Sequence, residues 1–133
     1  MDQRVIGQKD VPHVASEDGS QRVCFLIDRG NCGSERTSAG LYWLAPGQEG
    51  TPDLHPSSDE IYYVVQGRGA LQLDEDHHEV EQGQAIFVPA GTRHVSRNTG
   101  DEPLCYFFAY VPRPPEMTDE LPPGFSIVPP LPS

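Results

Sequence analysis

The sequence predicts an all-β protein with a single domain. Its 133 residues are enough for one hydrophobic core. The chain is rich in turn-forming residues, with 13 glycines and 14 prolines, and its apolar runs are short. Turn signals recur between these runs at close, regular intervals, and no stretch shows sustained helical periodicity. This combination is typical of a β-sandwich or a β-barrel.

Short apolar runs predict the strands in chain order. They are VCFLID (23–28), SAGLYWLAP (38–46), IYYVVQG (61–67), GALQLD (69–74), AIFVPAG (85–91), RHVSRN (93–98) and LCYFFAY (104–110). The Gly, Asn and Ser content of residues 29–37 predicts a loop. A Gly-Arg turn between 61–67 and 69–74 predicts a β-hairpin, and the charged residues 74–78 predict an exposed tip.

The two ends of the chain differ from the middle. Residues 1–20 are polar with little periodicity, which predicts an N-terminal arm or a short edge strand. Residues 112–133 are rich in proline and are predicted to form a tail without a helix or a central strand. Such a tail is either disordered or extended. In the extended case its apolar side chains would pack on the rest of the fold or on a neighbouring subunit: Leu121, Phe125, Ile127 and Val128.

Charge and composition exclude several classes of partner. The formal net charge is −11, which argues against nucleic acid and anionic membrane surfaces, since both require basic patches. No apolar stretch approaches the length of a membrane span, and the polar N-terminal stretch predicts no signal peptide. Three cysteines are too few and too scattered to predict a disulfide framework. The expected location is therefore a reducing cytoplasm, with the cysteines as small apolar fillers.

Four residues form a candidate metal-binding set. Asp53 and His55 are two positions apart, so in an extended segment their side chains point the same way. Glu60 begins the next strand after a short corner, and His94 lies on a later strand. Tyr62 follows Glu60 at the same two-residue spacing and should share its inward face. Two imidazoles and two carboxylates suit a divalent first-row metal.

The spacing around these residues follows a known pattern. Gly47, Asp53, His55, Glu60 and Gly67 match the first motif of the cupin superfamily, which has His-x-His where this chain has Asp-x-His. This segment therefore resembles a cupin motif at every landmark except its first histidine.

A second motif completes the resemblance. Gly83, Pro89, Gly91, His94 and Asn98 match every fixed position of the second cupin motif. The resemblance covers roughly residues 40 to 111. It implies a single small β-barrel of the double-stranded β-helix, jelly-roll type, which we assign to residues 21–111 between the arm and the tail.

The resemblance also implies a cofactor and an assembly. It implies one divalent metal per chain (Fe, Mn, Ni or Zn), often within a homodimer. The implied ligands are Asp53, His55, Glu60 and His94.

Three roles remain open for Asp53. As a ligand, it would complete a site with two histidines and two carboxylates, whose charges cancel a divalent cation and favour Fe(II) or Mn(II). As a general base beside a three-ligand site, it would leave more open positions for substrate or O₂. In a degenerate site that binds little metal, Asp53 and Glu60 would be buried together at a cost of several kcal/mol unless one is protonated.

The fold alone does not decide the chemistry. The favoured hypothesis is a redox-neutral metalloenzyme (an isomerase, cyclase or lyase) in which the metal activates a carbonyl or enol oxygen. Asp53, Glu60 or Tyr62 would then move a proton at the neighbouring carbon. The alternatives are an Fe(II) dioxygenase and a non-catalytic protein that binds a metal or a small ligand. The expected substrate is a small molecule with a ring or alkyl body and an oxygen-bearing head group.

Overall fold

The computed structural model describes residues 4–131 of the chain. Within that range lie ten strands, a 3₁₀ turn at Gln8–Asp10 and a short helix, α1 (Arg29–Cys32). The strands are β1 (His13–Ser16), β2 (Gln21–Ile27), β3 (Ser38–Leu44), β4 (Asp59–Gln66), β5 (Arg68–Leu73), β6 (Asp76–Glu81), β7 (Ala85–Val88), β8 (His94–Asn98), β9 (Leu104–Val111) and β10 (Phe125–Val128). The all-β prediction is confirmed. No helix in the described range is long and apolar enough to cross a membrane.

The strands form two antiparallel sheets. The larger sheet has seven strands in the order β10-β1-β2-β3-β9-β4-β7, and the smaller has three in the order β6-β5-β8. Isolated bridges connect Glu49 with Arg97 and Asp53 with His94, so the segment between β3 and β4 runs beside β8. The two sheets therefore approach each other at β8, in the arrangement expected of a jelly roll.

Alternation along the strands separates the core from the surface. On β4, Tyr62 and Val64 are buried, whereas the alternating Ile61 and Tyr63 are exposed. The core between the sheets consists of Leu44, Tyr62, Val64, Leu71, Val80, Val88, Leu104, Tyr106 and Phe108. The outer face of the large sheet remains apolar, because Ile61 lies opposite the exposed Phe87 of β7. The homodimer stays a prediction.

The predicted hairpin between 61–67 and 69–74 is wrong. β4 pairs with β7 and β9, whereas β5 pairs with β6 and β8, so the chain changes sheets between them. Gly67 is the single connecting residue and has a φ of +84°. A Cβ atom there would lie 2.6 Å from the Pro103 carbonyl oxygen, so the tight crossing requires glycine. The hairpin instead joins β5 to β6, with Asp74 at a φ of +52° in its turn.

Both ends of the chain contribute strands to the large sheet. β1, from the predicted arm or edge strand, has β2 on one side and β10 on the other. β10 comes from the tail, so the tail is extended and paired rather than free. Phe125 and Val128 are half-buried, but Ile127 is 68% exposed, so the backbone ladder carries much of this contact. Residues 1–3 of the predicted arm and 132–133 of the predicted tail lie outside the described residues.

A substitution at one glycine of β3 tests how closely β2 and β3 approach each other. A Cβ atom at Gly40 would lie 2.0 Å from the Cys24 carbonyl oxygen and 3.1 Å from the Phe108 ring. We expect Gly40→Ala to lower the free energy of unfolding by about 1–3 kcal/mol, because the strand must shift to make room. Urea unfolding measured by circular dichroism gives this difference. Gly30→Ala in α1 is the matched control, since its Cβ atom would meet nothing within 4 Å. Equal stability of the two variants would contradict the close packing of these strands.

Candidate metal centre

A main-chain pairing brings the two sequence motifs together. The Asp53 and His94 backbones exchange two hydrogen bonds of 2.9 Å each. His94 is the first residue of β8, in the small sheet, and Asp53 precedes β4, in the large sheet. The corner between Asp53 and β4 carries His55, and Glu60 lies inside β4. Each predicted ligand is thus fixed by regular backbone or a short corner.

The four predicted ligand residues converge. One ligand atom from each of Asp53, His55 and His94 lies within 4.8 Å of the other two. The His55 Nε2 atom is 3.3 Å from Asp53 Oδ2. Glu60 Oε1 lies 3.1 Å from His94 Nε2 and 3.9 Å from His55 Nε2. These are distances between atoms that can share one central cation.

Burial divides the four residues into two groups. Glu60, His94 and His55 are only 3%, 5% and 8% exposed, whereas the Asp53 side chain is 57% exposed. Three of the groups therefore lie inside the fold, and Asp53 closes the cluster on its solvent side.

Hydrogen bonds orient both imidazoles toward this centre. His94 Nδ1 lies 3.0 Å from the Thr92 carbonyl oxygen, so its N–H donates there and leaves Nε2 facing Glu60. His55 Nδ1 lies 3.3 Å from Glu116 Oε1, which likewise leaves Nε2 facing the cluster. Among the described residues, His55 Nε2 and Glu60 Oε1 are buried without a hydrogen-bond partner. A divalent cation would satisfy both atoms, so the residues fit a metal.

The electrostatics of the site support the same conclusion. Burial lowers the pKa of His55, but the carboxylates of Asp53 and Glu60 outweigh it and raise that pKa above its usual value. Burial also lowers the pKa of His94, and Glu60 again reverses the direction. Burial raises the pKa of Asp53, but His55 outweighs it and holds that pKa below its usual range. The carboxylates therefore favour the protonated form of both imidazoles when no metal is bound, and a divalent cation would displace such protons.

Tyrosines surround the cluster on its inner side. Tyr62 makes an edge contact with His94, with ring centroids 6.2 Å apart, and stacks on Tyr106 at 4.5 Å. Burial and the neighbouring charge of Glu60 raise the pKa of Tyr62 well above its usual value, so its hydroxyl stays protonated. Tyr110 makes an edge contact with His55 at 4.9 Å. Tyr62 is buried, as predicted from its inward position on the strand.

Two residues of the site were not predicted from the sequence. Tyr110 shares the inner face of β9 with Tyr106 and Phe108, so the two-residue spacing was an available signal. Glu116 lies in the proline-rich segment after β9, where no periodicity points to an orientation.

Two surface grooves, of about 230 and 290 Å³, are both bordered by Arg68 and Glu81, and neither includes a predicted metal ligand. We place the functional site at the ligand cluster because cavity volume alone carries no chemistry, whereas the cluster has convergent metal-binding atoms.

Removing the buried imidazole of the small sheet tests the centre. We expect His94→Ala to lose most bound metal and the added thermal stability that metal binding gives the native state. Inductively coupled plasma mass spectrometry of untagged protein measures the metal content, and melting with and without added metal measures the stabilisation. His78→Ala, at an exposed position on β6, is the control. Full metal occupancy in His94→Ala would show that this cluster is not the metal centre.

Comparison with known proteins identifies the family. The Cupin_2 model, described as a cupin domain, matches residues 40–110, more than half of the chain. Protein SchB of Streptomyces halstedii is 32% identical over 98 residues, covering 74% of this chain and 70% of SchB. Polyketide synthase CurC of Streptomyces cyaneus is 30% identical over 113 residues, covering 85% of this chain and 72% of CurC.

A solved structure shares the fold. The crystal structure of a predicted oxalate decarboxylase from Thermotoga maritima aligns with a TM-score of 0.72 at 20% identity, covering 82% of this chain and 99% of that one. The two sheets, the two sequence motifs and the match to the family model agree. The chain belongs to the cupin family.

Proposed function

We propose that this protein is a metal-dependent enzyme that moves a proton beside a carbonyl or enol oxygen of a small molecule, without net oxidation. One observation carries the proposal: two imidazoles and the buried Glu60 carboxylate converge next to the protonated Tyr62 hydroxyl. A Lewis acid and a proton donor side by side are the components that isomerisation, cyclisation or elimination requires.

The interior of the fold suggests the class of substrate. Tyr62 and Tyr110 make edge contacts with the two imidazoles, so the wall next to the proposed metal is aromatic. Such a surface suits a substrate with a flat ring, while the metal centre suits its oxygen-bearing head group. The relative CurC is named a polyketide synthase protein, and polyketide chains carry carbonyl and enol oxygens next to acidic carbons. We propose a substrate of this chemical type.

In the proposed mechanism, some residues bind the metal and others take part in proton transfer. In the proposed site Asp53, His55, Glu60 and His94 hold the metal, which when bound would supply Lewis-acid activation of a substrate oxygen. Two carboxylates among four ligands favour Fe(II) or Mn(II) over a thiolate-type zinc site. The Tyr62 hydroxyl donates a hydrogen bond to the substrate oxygen. In the alternative in which Asp53 stays off the metal, its exposed carboxylate takes a proton from the neighbouring carbon and returns it at a second position.

Substitution at position 53 separates the two roles of Asp53. If Asp53 is a ligand, Asp53→Ala loses metal, whereas Asp53→His, which restores the first histidine of the family motif, keeps it. If Asp53 is only the base, both variants keep the metal and lose turnover, by roughly 100-fold or more. Metal content and turnover measured on the same samples give both readouts. Retained metal together with retained turnover in Asp53→Ala would contradict both roles.

Deuterium exchange tests the proposed chemistry. We expect the metal-loaded protein in D₂O, without oxygen, to exchange the protons next to the carbonyl of an aromatic ketone such as 1-tetralone, as followed by NMR. We expect Tyr62→Phe to slow this exchange by roughly 100-fold, because the substrate oxygen loses its hydrogen-bond donor. Tyr63→Phe is the matched control, since Tyr63 lies on the outer face of the same strand.

Each outcome points to a different function. Exchange that depends on the metal and on Tyr62 supports the proposal. Oxygen uptake in the presence of Fe(II) and substrate, without such exchange, would favour the dioxygenase. Tight binding of aromatic ketones and enols with neither reaction would favour a binding protein.

A further inference from the structure

The segment after β9 is held against the fold by specific contacts. The Arg113 guanidinium lies 3.3 Å from Asp28 Oδ1, and its backbone N–H donates to the Arg36 carbonyl oxygen at 2.9 Å. The Arg113 side chain is only 9% exposed, and Pro114 is fully buried. The first part of the tail is therefore fixed in place before the chain turns toward the metal centre.

A turn in this segment carries a carboxylate to the site. The Met117 backbone N–H donates to the Pro114 carbonyl oxygen at 3.1 Å and closes a four-residue turn. Glu116 lies in this turn, with its Oε1 3.3 Å from His55 Nδ1 and its side chain 44% exposed. Beyond the turn, β10 pairs with β1, so the chain is held on both sides of Glu116.

We infer that Glu116 is a positioning residue for the metal ligand His55. A neutral imidazole carries one proton, and a carboxylate at Nδ1 holds that proton there. The Nε2 lone pair then faces Asp53 and Glu60, where the metal is proposed to bind. This inference rests on the metal centre of the proposed function.

The two imidazoles of the site have different outer partners. His94 Nδ1 faces the Thr92 carbonyl oxygen of its own loop, a neutral acceptor two residues away. His55 Nδ1 faces a charged acceptor 61 residues away, in the proline-rich segment after β9. A charged acceptor raises the basicity of the ligand nitrogen more than a neutral one does, and it fixes the ring plane. The tail thus completes the centre instead of only covering the sheet.

Cobalt titration of the full chain tests this role. Co(II) affinity is measured by visible absorption for wild type, Glu116→Ala, Glu116→Gln and Glu120→Ala. We expect Glu116→Ala to weaken Co(II) binding by about 10- to 100-fold. Glu116→Gln should recover part of this loss, because an amide oxygen still accepts from Nδ1 but carries no negative charge. Glu120→Ala removes the same charge from an exposed position of the same segment and should leave the affinity unchanged.

The melting temperature of each variant is also measured without metal. We expect these temperatures to match wild type, which would exclude a loss of folding as the cause of weaker Co(II) binding. The inference is overturned if Glu116→Ala binds Co(II) as tightly as wild type. It is also overturned if Glu120→Ala weakens binding equally, or if Glu116→Gln recovers nothing. Failure of the wild type itself to bind Co(II) would overturn the proposed metal centre and this role of Glu116 with it, whereas the other results overturn only the role of Glu116.

Discussion

The buried carboxylate of Glu60 is the constraint on which the rest of the site depends. It is 3% exposed, and its Oε1 atom has no hydrogen-bond partner among the described residues. An uncompensated charge at this depth costs several kcal/mol. The imidazoles of His55 and His94 offset this cost, because their Nε2 atoms lie within 3.9 Å of Glu60 Oε1. An ionised Glu60 therefore needs positive charge at the centre, from protons on the imidazoles or from a metal.

This requirement links the two sheets. Glu60 belongs to β4 of the large sheet, and His94 belongs to β8 of the small one. Their side chains meet where the Asp53 and His94 backbones exchange hydrogen bonds. A cation held between them would join the sheets at a point where the intervening ladder is only an isolated bridge. In the proposed site, metal binding would therefore stabilise the contact between the sheets as well as the native state as a whole.

The sequence was most informative where a local period or a fixed spacing decides the structure. Alternation placed Tyr62 on the inward face with Glu60, and motif spacing brought His94 to the same cluster. The prediction from sequence failed at Gly67, where a single residue carries the chain from one sheet to the other. A turn between two strands does not specify whether those strands share a sheet. Prediction from sequence also failed for Glu116, whose position depends on long-range contacts in a segment without periodicity.

In the proposed metal centre, the aspartate at position 53 would change the charge of the site and hence the substrates that it favours. A site with the family's usual first histidine would have one carboxylate, and a divalent cation would leave a net charge of +1. With Asp53 and Glu60 both ionised, the same cation is neutralised. The metal then offers little long-range attraction to an anion, and the chain as a whole, with a formal charge of −11, repels one. Lewis-acid activation needs only a lone pair, so this charge balance favours a neutral carbonyl or enol head group over a carboxylate or phosphate.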